Sequence, residues 1–363
     1  MRTFGVEEEF LVVNAGTGRP VPLGKQIVER QERHGSELQF SLTTELQGEQ
    51  VEVVTRACDS FHLLEASLRK GRSHADSLAS QFGARIVALG TSPVPVQPHI
   101  TPTGRYEKIA GRFGITAREQ LTCGYHVHVA VSSDEEGIGV LDRIRVWLPV
   151  LLALSVNSPF WNGQDSGYES YRRAVWTRLP LAGPTDQFGS AASYHRQVAA
   201  MIATNVLVDE GMAYFDARLC RNHPTVEIRV ADVCADADAA VLIAILARAL
   251  VETAARQWAR SEPTPATSTP LLQLAMWRAS KSGLQGELLD PRDSRPRKAA
   301  EVVSELFDHV SPVLAEFGDE RRTIALLDWI LPSGTGAQRQ RECYSATGSH
   351  AAVVAEAIIR THL

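Results

Sequence analysis

The order of apolar and polar positions predicts a sheet in the first two thirds of the chain and helices in the last third. Alternation typical of half-buried strands recurs in seven segments: 2–13, 38–42, 51–55, 84–90, 125–131, 214–219 and 225–233. Helical spacing is found over 59–82, 134–153 and 236–260, and beyond the Pro-rich segment 261–270 only helices are predicted. Because strands and helices do not alternate regularly, the pattern favours an α+β fold with a mostly antiparallel sheet and helices against one face.

Length, charge and cysteine content narrow the class of protein. The 363 residues are predicted to form one domain, 1–363, whose part 271–363 is mostly helical. A net charge of −5 without a long basic run argues against a nucleic-acid partner. The longest apolar run, 239–251, is too short for a membrane span of about 20 residues. With no secretory signal pattern and five cysteines without C-x-x-C spacing, we expect free thiols in a reducing cytoplasm.

Acidic residues recur on the predicted strands. Glu7 and Glu9 project from one face of the first strand, where two carboxylates raise each other's pKa unless a cation lies between them. The alternative is a solvated edge strand with acidic gatekeepers. Glu45 and Glu52 would face opposite ways in a regular strand, but a bulge or turn at Gly48 could bring them together. Their alternative is a charged helical surface.

Two further strands add histidine and arginine. His126 and His128 share a face, which is a common way to present imidazoles to a metal, although a hydrogen-bonded pair is equally compatible. Glu227 and Arg229 also project together, either as an intrastrand ion pair or as a carboxylate ligand beside a phosphate-binding arginine. Together the segments predict an oxygen-rich face suited to Mg²⁺ or Mn²⁺ and to nucleotide phosphates. No P-loop or Rossmann motif is present.

The segments resemble a known family in both composition and order. The resemblance is carried by 5–10, 43–55, 124–128, 157–163, 170–173, 225–229 and 334–341. On these residues the chain resembles the type 2 glutamate–cysteine ligases, the YbdK-like carboxylate–amine ligase family. The resemblance implies a glutamine-synthetase-like fold, in which a curved antiparallel sheet forms a funnel with ATP and divalent metals at its polar face.

The resemblance also implies roles for individual residues. The implied metal ligands are Glu7, Glu9, Glu45, Glu52, His126 and Glu227. Arg229 would contact a phosphate and, with Glu227, act in catalysis, and Arg173 is a further candidate for nucleotide contact. The family often has Asp at the position of Glu45, so the contact of that carboxylate is less defined. His128 receives no definite role.

The implied reaction is ATP-dependent ligation of a small-molecule carboxylate to an amine through an acyl phosphate. Glutamate and cysteine, or analogues from specialised metabolism, are the expected substrates, and a homo-oligomer stays open. One alternative is a metal-dependent hydrolase with His126 and His128 as zinc or iron ligands. The other is a non-catalytic relative that binds nucleotide without turnover.

Overall fold

An antiparallel sheet organises the residues that the computed structural model describes, which are 1–34 and 39–363. The strands are β1 (Phe4–Asn14), β2 (Phe40–Thr44), β3 (Gln50–Thr55), β4 (Ala84–Val87), β5 (Gly124–Ala130), β6 (Phe160–Trp161), β7 (Gln164–Asp165), β8 (Ala217–Leu219), β9 (Thr225–Asp232), β10 (Glu287–Leu289) and β11 (Pro296–Lys298). The helices are α1 (Gly24–His34), α2 (Phe61–Ser80), α3 (Gly104–Phe113), α4 (Ile115–Arg118), α5 (Asp134–Ile144), α6 (Leu148–Ser155), α7 (Tyr171–Trp176), α8 (Ala191–Ala203), α9 (Ala237–Ala259), α10 (Thr269–Ser282), α11 (Ala299–Phe317), α12 (Glu320–Ser333), α13 (Gly336–Thr347) and α14 (His350–Thr361).

The main sheet has seven strands in the order β2-β3-β1-β5-β9-β8, and β4 also pairs with β1. Every pairing between these strands is antiparallel. The long central strand β1 pairs with three neighbours. Its first half pairs with β5, its middle with β3 and its end with β4. The predicted α+β class with a mostly antiparallel sheet is therefore confirmed.

The apolar face of the sheet packs on helices. Val6, Val127 and Ile228 lie almost fully buried on this face, and α9 runs across it in contact with β1 and β5. Glu8 points to the same face, where its carboxylate accepts from the Arg72 guanidinium of α2 at 2.6 and 3.1 Å. The side chains of Glu8 and Arg72 are 0% and 1% exposed, so this ion pair belongs to the core.

The helical last third packs on the same body as the sheet. Helices α11 and α12 contact α9, α10 contacts α6, and α14 contacts β4. These contacts are what a single domain requires, and the one-domain assignment stays a prediction. None of the helices in the described ranges is both long enough and apolar enough to cross a membrane.

Several elements differ from the prediction, as three cases illustrate. The helix expected over 134–153 is divided into α5 and α6, because Pro149 lies in the first turn of α6 and lacks the N–H that a continuous helix needs. The last third also contains the hairpin β10–β11, whose three-residue strands are too short to show alternation. The strand expected at 38–42 is found as β2, and position 38 itself lies outside the described residues.

Candidate active site

The polar face of the sheet lines a cavity of about 1170 Å³. Strands β1, β3, β5, β8 and β9 contribute charged side chains to it, since alternate residues of a strand project to one face. The charged residues from the sheet and its loops that line the cavity include Glu7, Glu9, Glu45, Glu52, His126, His128, Arg218, Glu227 and Arg229. The structure thus brings together all six predicted metal ligands and the predicted phosphate-binding arginine.

Strand register decides which side chains meet. Glu7 lies opposite His126 between β1 and β5, and Glu9 lies opposite Glu52 between β1 and β3. His126 therefore lies between the two carboxylates of β1, with Nδ1 at 2.9 Å from Glu7 Oε2 and Nε2 at 3.6 Å from Glu9 Oε1. Glu52 is held from its other side by the Thr43 hydroxyl, which donates to Oε2 at 2.7 Å.

The turn at Gly48 brings Glu45 to the same cavity. Residues 45–49 connect β2 to β3, and a β-carbon on Gly48 would lie 3.1 Å from that of Pro22 and 3.3 Å from the His99 carbonyl oxygen. This crowded position favours glycine. Glu49 points away from the cavity and pairs with His99 at 2.7 Å. The segment is therefore a strand–turn–strand rather than the alternative helix.

Two overlapping groups of side chains have the spacing of metal ligands. One is Glu7, His126 and Glu227, and the other is Glu9, Glu52 and His126, with the donor atoms of each group within 4.8 Å of one another. Nε2 of His126 is buried and makes no hydrogen bond to any described residue. Most of these donor atoms are carboxylate oxygens, and one is an imidazole nitrogen. This is a ligand set that suits Mg²⁺ or Mn²⁺, so the residues present fit the implied cations.

The carboxylates of the cavity have perturbed pKa values. Burial, together with the charge of Glu9, raises the pKa of Glu45 to about 8. Burial and the charges of Glu7 and Glu45 raise the pKa of Glu52 well above its usual range. Burial opposes ionisation of Glu7 as well, but its contacts with His126 and His128 bring its pKa well below the usual value. A cation bound between these carboxylates would add positive charge and favour their ionised form.

Two arginines contact Glu227. Arg218 of β8 forms a forked pair with its carboxylate at 2.8 and 3.2 Å, and Arg229 of β9 also donates to it. Although burial opposes ionisation, these arginines lower the pKa of Glu227 to about 2. The Arg229 guanidinium also lies 5.9 Å from the ring centroid of Trp176, which lines the cavity.

Arg218 and Trp176 were not predicted as site residues. The strand β8 has only three residues, so its alternation gives little information about Arg218. Trp176 ends the six-residue helix α7, whose place beside the sheet depends on tertiary contacts. The sequence signal for Arg218 was its position on the predicted strand 214–219. A polar residue two positions away on this strand would project from the same face.

Arg173 and His128 occupy different environments. Arg173 is buried in an ion pair with Asp216 and is not among the described residues that line the cavity, so its contact with nucleotide stays a prediction. His128 lies in the cavity, with Nδ1 at 3.1 Å from Thr225 Oγ1 and Nε2 at 3.1 Å from Glu7 Oε1. Burial disfavours its charged form, but contacts with Cys220 and Glu7 raise the His128 pKa to about 10.

Comparison with known proteins decides the family. The sequence profile of glutamate–cysteine ligase family 2 matches residues 3–356. The chain belongs to this family. Two relatives with provisional glutamate–cysteine ligase 2 names come from Streptomyces avermitilis, 50% identical, and Streptomyces coelicolor, 48% identical. Each alignment covers 99% of this chain and 99% of the relative. The predicted class, an ATP-dependent ligase, is confirmed, which disfavours the metal-dependent hydrolase.

Solved structures share the fold of this family member. Glutamate–cysteine ligase of Francisella tularensis, in complex with AMP, superposes with a TM-score of 0.68 at 14% identity, over 99% of this chain and 89% of that one. A bifunctional glutathione synthetase of Pasteurella multocida gives a TM-score of 0.71 at 15% identity, over 99% of this chain and 52% of that one. These likenesses confirm the predicted ligase fold.

Proposed function

We propose that this chain uses ATP and a divalent cation to join the carboxylate of glutamate to the amine of cysteine. The observation that carries the proposal is the pair of ligand groups meeting at His126, next to the arginines that contact Glu227. The glutamate–cysteine ligase names of close relatives support the choice of substrates. The five cysteines are all free in the structure, which supports a location in the reducing cytoplasm.

The two ligand groups would hold Mg²⁺ or Mn²⁺. One would use Glu9 and Glu52 and the other Glu7 and Glu227, with Glu45 beside them. His126 can complete one of the two groups, because a neutral imidazole has one nitrogen free to bind a cation. When bound, such cations neutralise the charge of a triphosphate and polarise its phosphoryl oxygens. The carboxylates fix where that charge is placed, and the strands on which they stand keep the arrangement rigid.

The arginines would stabilise the phosphoryl group as it is transferred. A carboxylate is a poor acyl donor, because its leaving group would be oxide, so phosphorylation to an acyl phosphate is needed before an amine can attack. Arg229 would exchange its contact with Glu227 for a phosphoryl oxygen, while the forked pair with Arg218 keeps the Glu227 carboxylate oriented. Trp176, beside the Arg229 guanidinium, would limit its movement.

A panel of carboxylates and amines tests this proposal. ADP release is measured with ATP, Mg²⁺ and each substrate pair, and products are identified by mass. We expect turnover with glutamate and cysteine, a product of the mass of γ-glutamylcysteine, and loss of turnover in Glu52→Gln. The matched control is Glu49→Gln, an acid of the same segment that points away from the cavity and should remain active.

Two results would overturn the proposal. One is the absence of ADP release from folded protein that is supplied with ATP, Mg²⁺, glutamate and cysteine. The other is full activity in Glu52→Gln, because a carboxylate of one ligand group would then be dispensable.

A further inference from the structure

A third group of donor atoms lies at the edge of the same cavity. Glu227 of β9 lies opposite two cavity-lining side chains in the sheet. Its register partner on β5 is His128, and its register partner on β8 is Arg218. Cys220 directly follows β8 and lines the same cavity as these side chains. One donor atom each from His128, Cys220 and Glu227 lies within 4.8 Å of the others.

The donors of this group differ in kind from those of the other two. An imidazole nitrogen, a sulfur and one carboxylate oxygen form a set that zinc and similar cations prefer, whereas Mg²⁺ takes oxygen ligands. Three protein ligands leave a fourth tetrahedral position for water or another exchangeable group. The Cys220 thiol is half-buried and lines the cavity, so a cation can reach it.

The ring of His128 is held in the way that ligating histidines usually are. Nδ1 lies 3.1 Å from the Thr225 hydroxyl, which orients the imidazole. Nε2 is buried and lies 3.1 Å from Glu7 Oε1 in an ion pair. A cation that binds Nε2 would therefore replace this contact and release the imidazole proton. The site is thus built from adjacent strands of the sheet and has an oriented imidazole.

We propose that His128, Cys220 and Glu227 form a binding site for a thiophilic divalent cation of the zinc class, and that its occupation inhibits ligation. Inhibition follows from the shared ligand. Glu227 also belongs to the group with Glu7 and His126 and is contacted by Arg218. A cation that takes the Glu227 carboxylate removes it from both arrangements.

Co²⁺ replaces Zn²⁺ as a spectroscopic probe of this site. Protein treated with a chelator is placed in excess Mg²⁺ and titrated with Co²⁺, and the near-ultraviolet charge-transfer absorption of a cobalt–thiolate bond is recorded. We expect a band that saturates at about one Co²⁺ per chain, as one such site requires. The band should be absent in Cys220→Ser. It should be retained in the control Cys343→Ser, which removes a partly exposed thiol on α13.

The band is measured without turnover, so its outcome does not depend on the proposed function. No band in the wild-type protein, or an unchanged band in Cys220→Ser, would overturn the site. If circular dichroism shows that Cys220→Ser is unfolded, His128→Gln decides instead. Its Co²⁺ affinity should fall by at least about tenfold, and an unchanged affinity would overturn the site.

Inhibition is tested by titrating Zn²⁺ into the ADP-release assay at constant Mg²⁺. Because substrate cysteine also binds Zn²⁺, the comparison is between variants assayed with the same substrates. Cys220→Ser should need at least about tenfold more Zn²⁺ for half-inhibition than Cys343→Ser. Equal sensitivity of the two variants would overturn the inhibitory role.

Discussion

Replacing Glu45 by glutamine should stabilise the protein in the absence of divalent cations. Its pKa is raised from 4.5 to about 8 by burial and by the nearby charge of Glu9. An acid with a raised folded-state pKa contributes stability that is fully present below the unfolded-state pKa and lost as the pH rises through the folded-state value. The wild-type protein should therefore lose stability between pH 4.5 and about 8, and Glu45→Gln should not lose this contribution.

The magnitude follows from the same pKa values. The difference between wild type and variant should grow by about 1.4 kcal/mol per pH unit across this window. The full rise from 4.5 to about 8 corresponds to an upper limit of about 5 kcal/mol. At pH 7 the advantage of Glu45→Gln should reach at most about 3 kcal/mol.

Urea unfolding of both proteins in chelator, from pH 5 to pH 9, measures this difference. Saturating Mg²⁺ supplies the control, because a cation bound to the folded wild type at about 100 times its Kd adds about 2.7 kcal/mol. The cation should therefore reduce or reverse the advantage of the variant. A variant no more stable than wild type at pH 8, or an advantage that does not change with pH, would refute the reasoning.

Three further predictions concern the core, the cations and Trp176. Glu8→Gln should destabilise the protein by about 3–5 kcal/mol in urea unfolding, since it leaves Arg72 buried without its carboxylate. Mg²⁺ or Mn²⁺ binding should tighten as the pH rises towards 8 and release protons, because Glu45 and Glu52 must ionise. Calorimetry in buffers of different ionisation enthalpy measures the cation affinity and the number of protons released. Trp176→Leu should lower kcat more than it changes KM, and Trp176→Phe should restore much of the loss, because an aromatic face again lies beside Arg229.

Each of these predictions has a result that contradicts it. A loss below about 1 kcal/mol in Glu8→Gln, the size of an ordinary surface pair, would show that the buried ion pair is not needed. Cation binding that is independent of pH would contradict the raised pKa values. Equal kcat in the Leu and Phe variants of Trp176 would show that the aromatic ring does not position Arg229.

Side-chain direction within a strand could be predicted from the sequence. Alternation fixes the face of each residue, so the projection of Glu7 with Glu9 and of His126 with His128 into one cavity agrees with the pattern. The same rule sends Glu8 to the opposite face. Alternation does not reveal which partner meets it there, and Arg72 lies 64 residues further along the chain.

Contacts that depend on strand order could not be predicted, whereas a turn could be indicated by its glycine. The turn at Gly48, which brings Glu45 towards Glu52, was indicated by the sequence, but the contact of Arg218 with Glu227 requires β8 to pair with β9. Arg173 carries a charge that is typical of a phosphate contact, but Asp216 pairs with it in the fold. Nothing local in the sequence separates a buried ion pair from a site residue, because both need the same side chains.

The central claim is that carboxylates from several strands, which lie around His126, hold two divalent cations at the polar face of the sheet. Counting bound Mn²⁺ by electron paramagnetic resonance, in wild type and in Glu52→Gln, tests it most directly. The account predicts two Mn²⁺ ions per wild-type chain, corresponding to the two ligand groups, and at most one in the variant. No bound Mn²⁺ in the wild type, or the same number in both proteins, would contradict it.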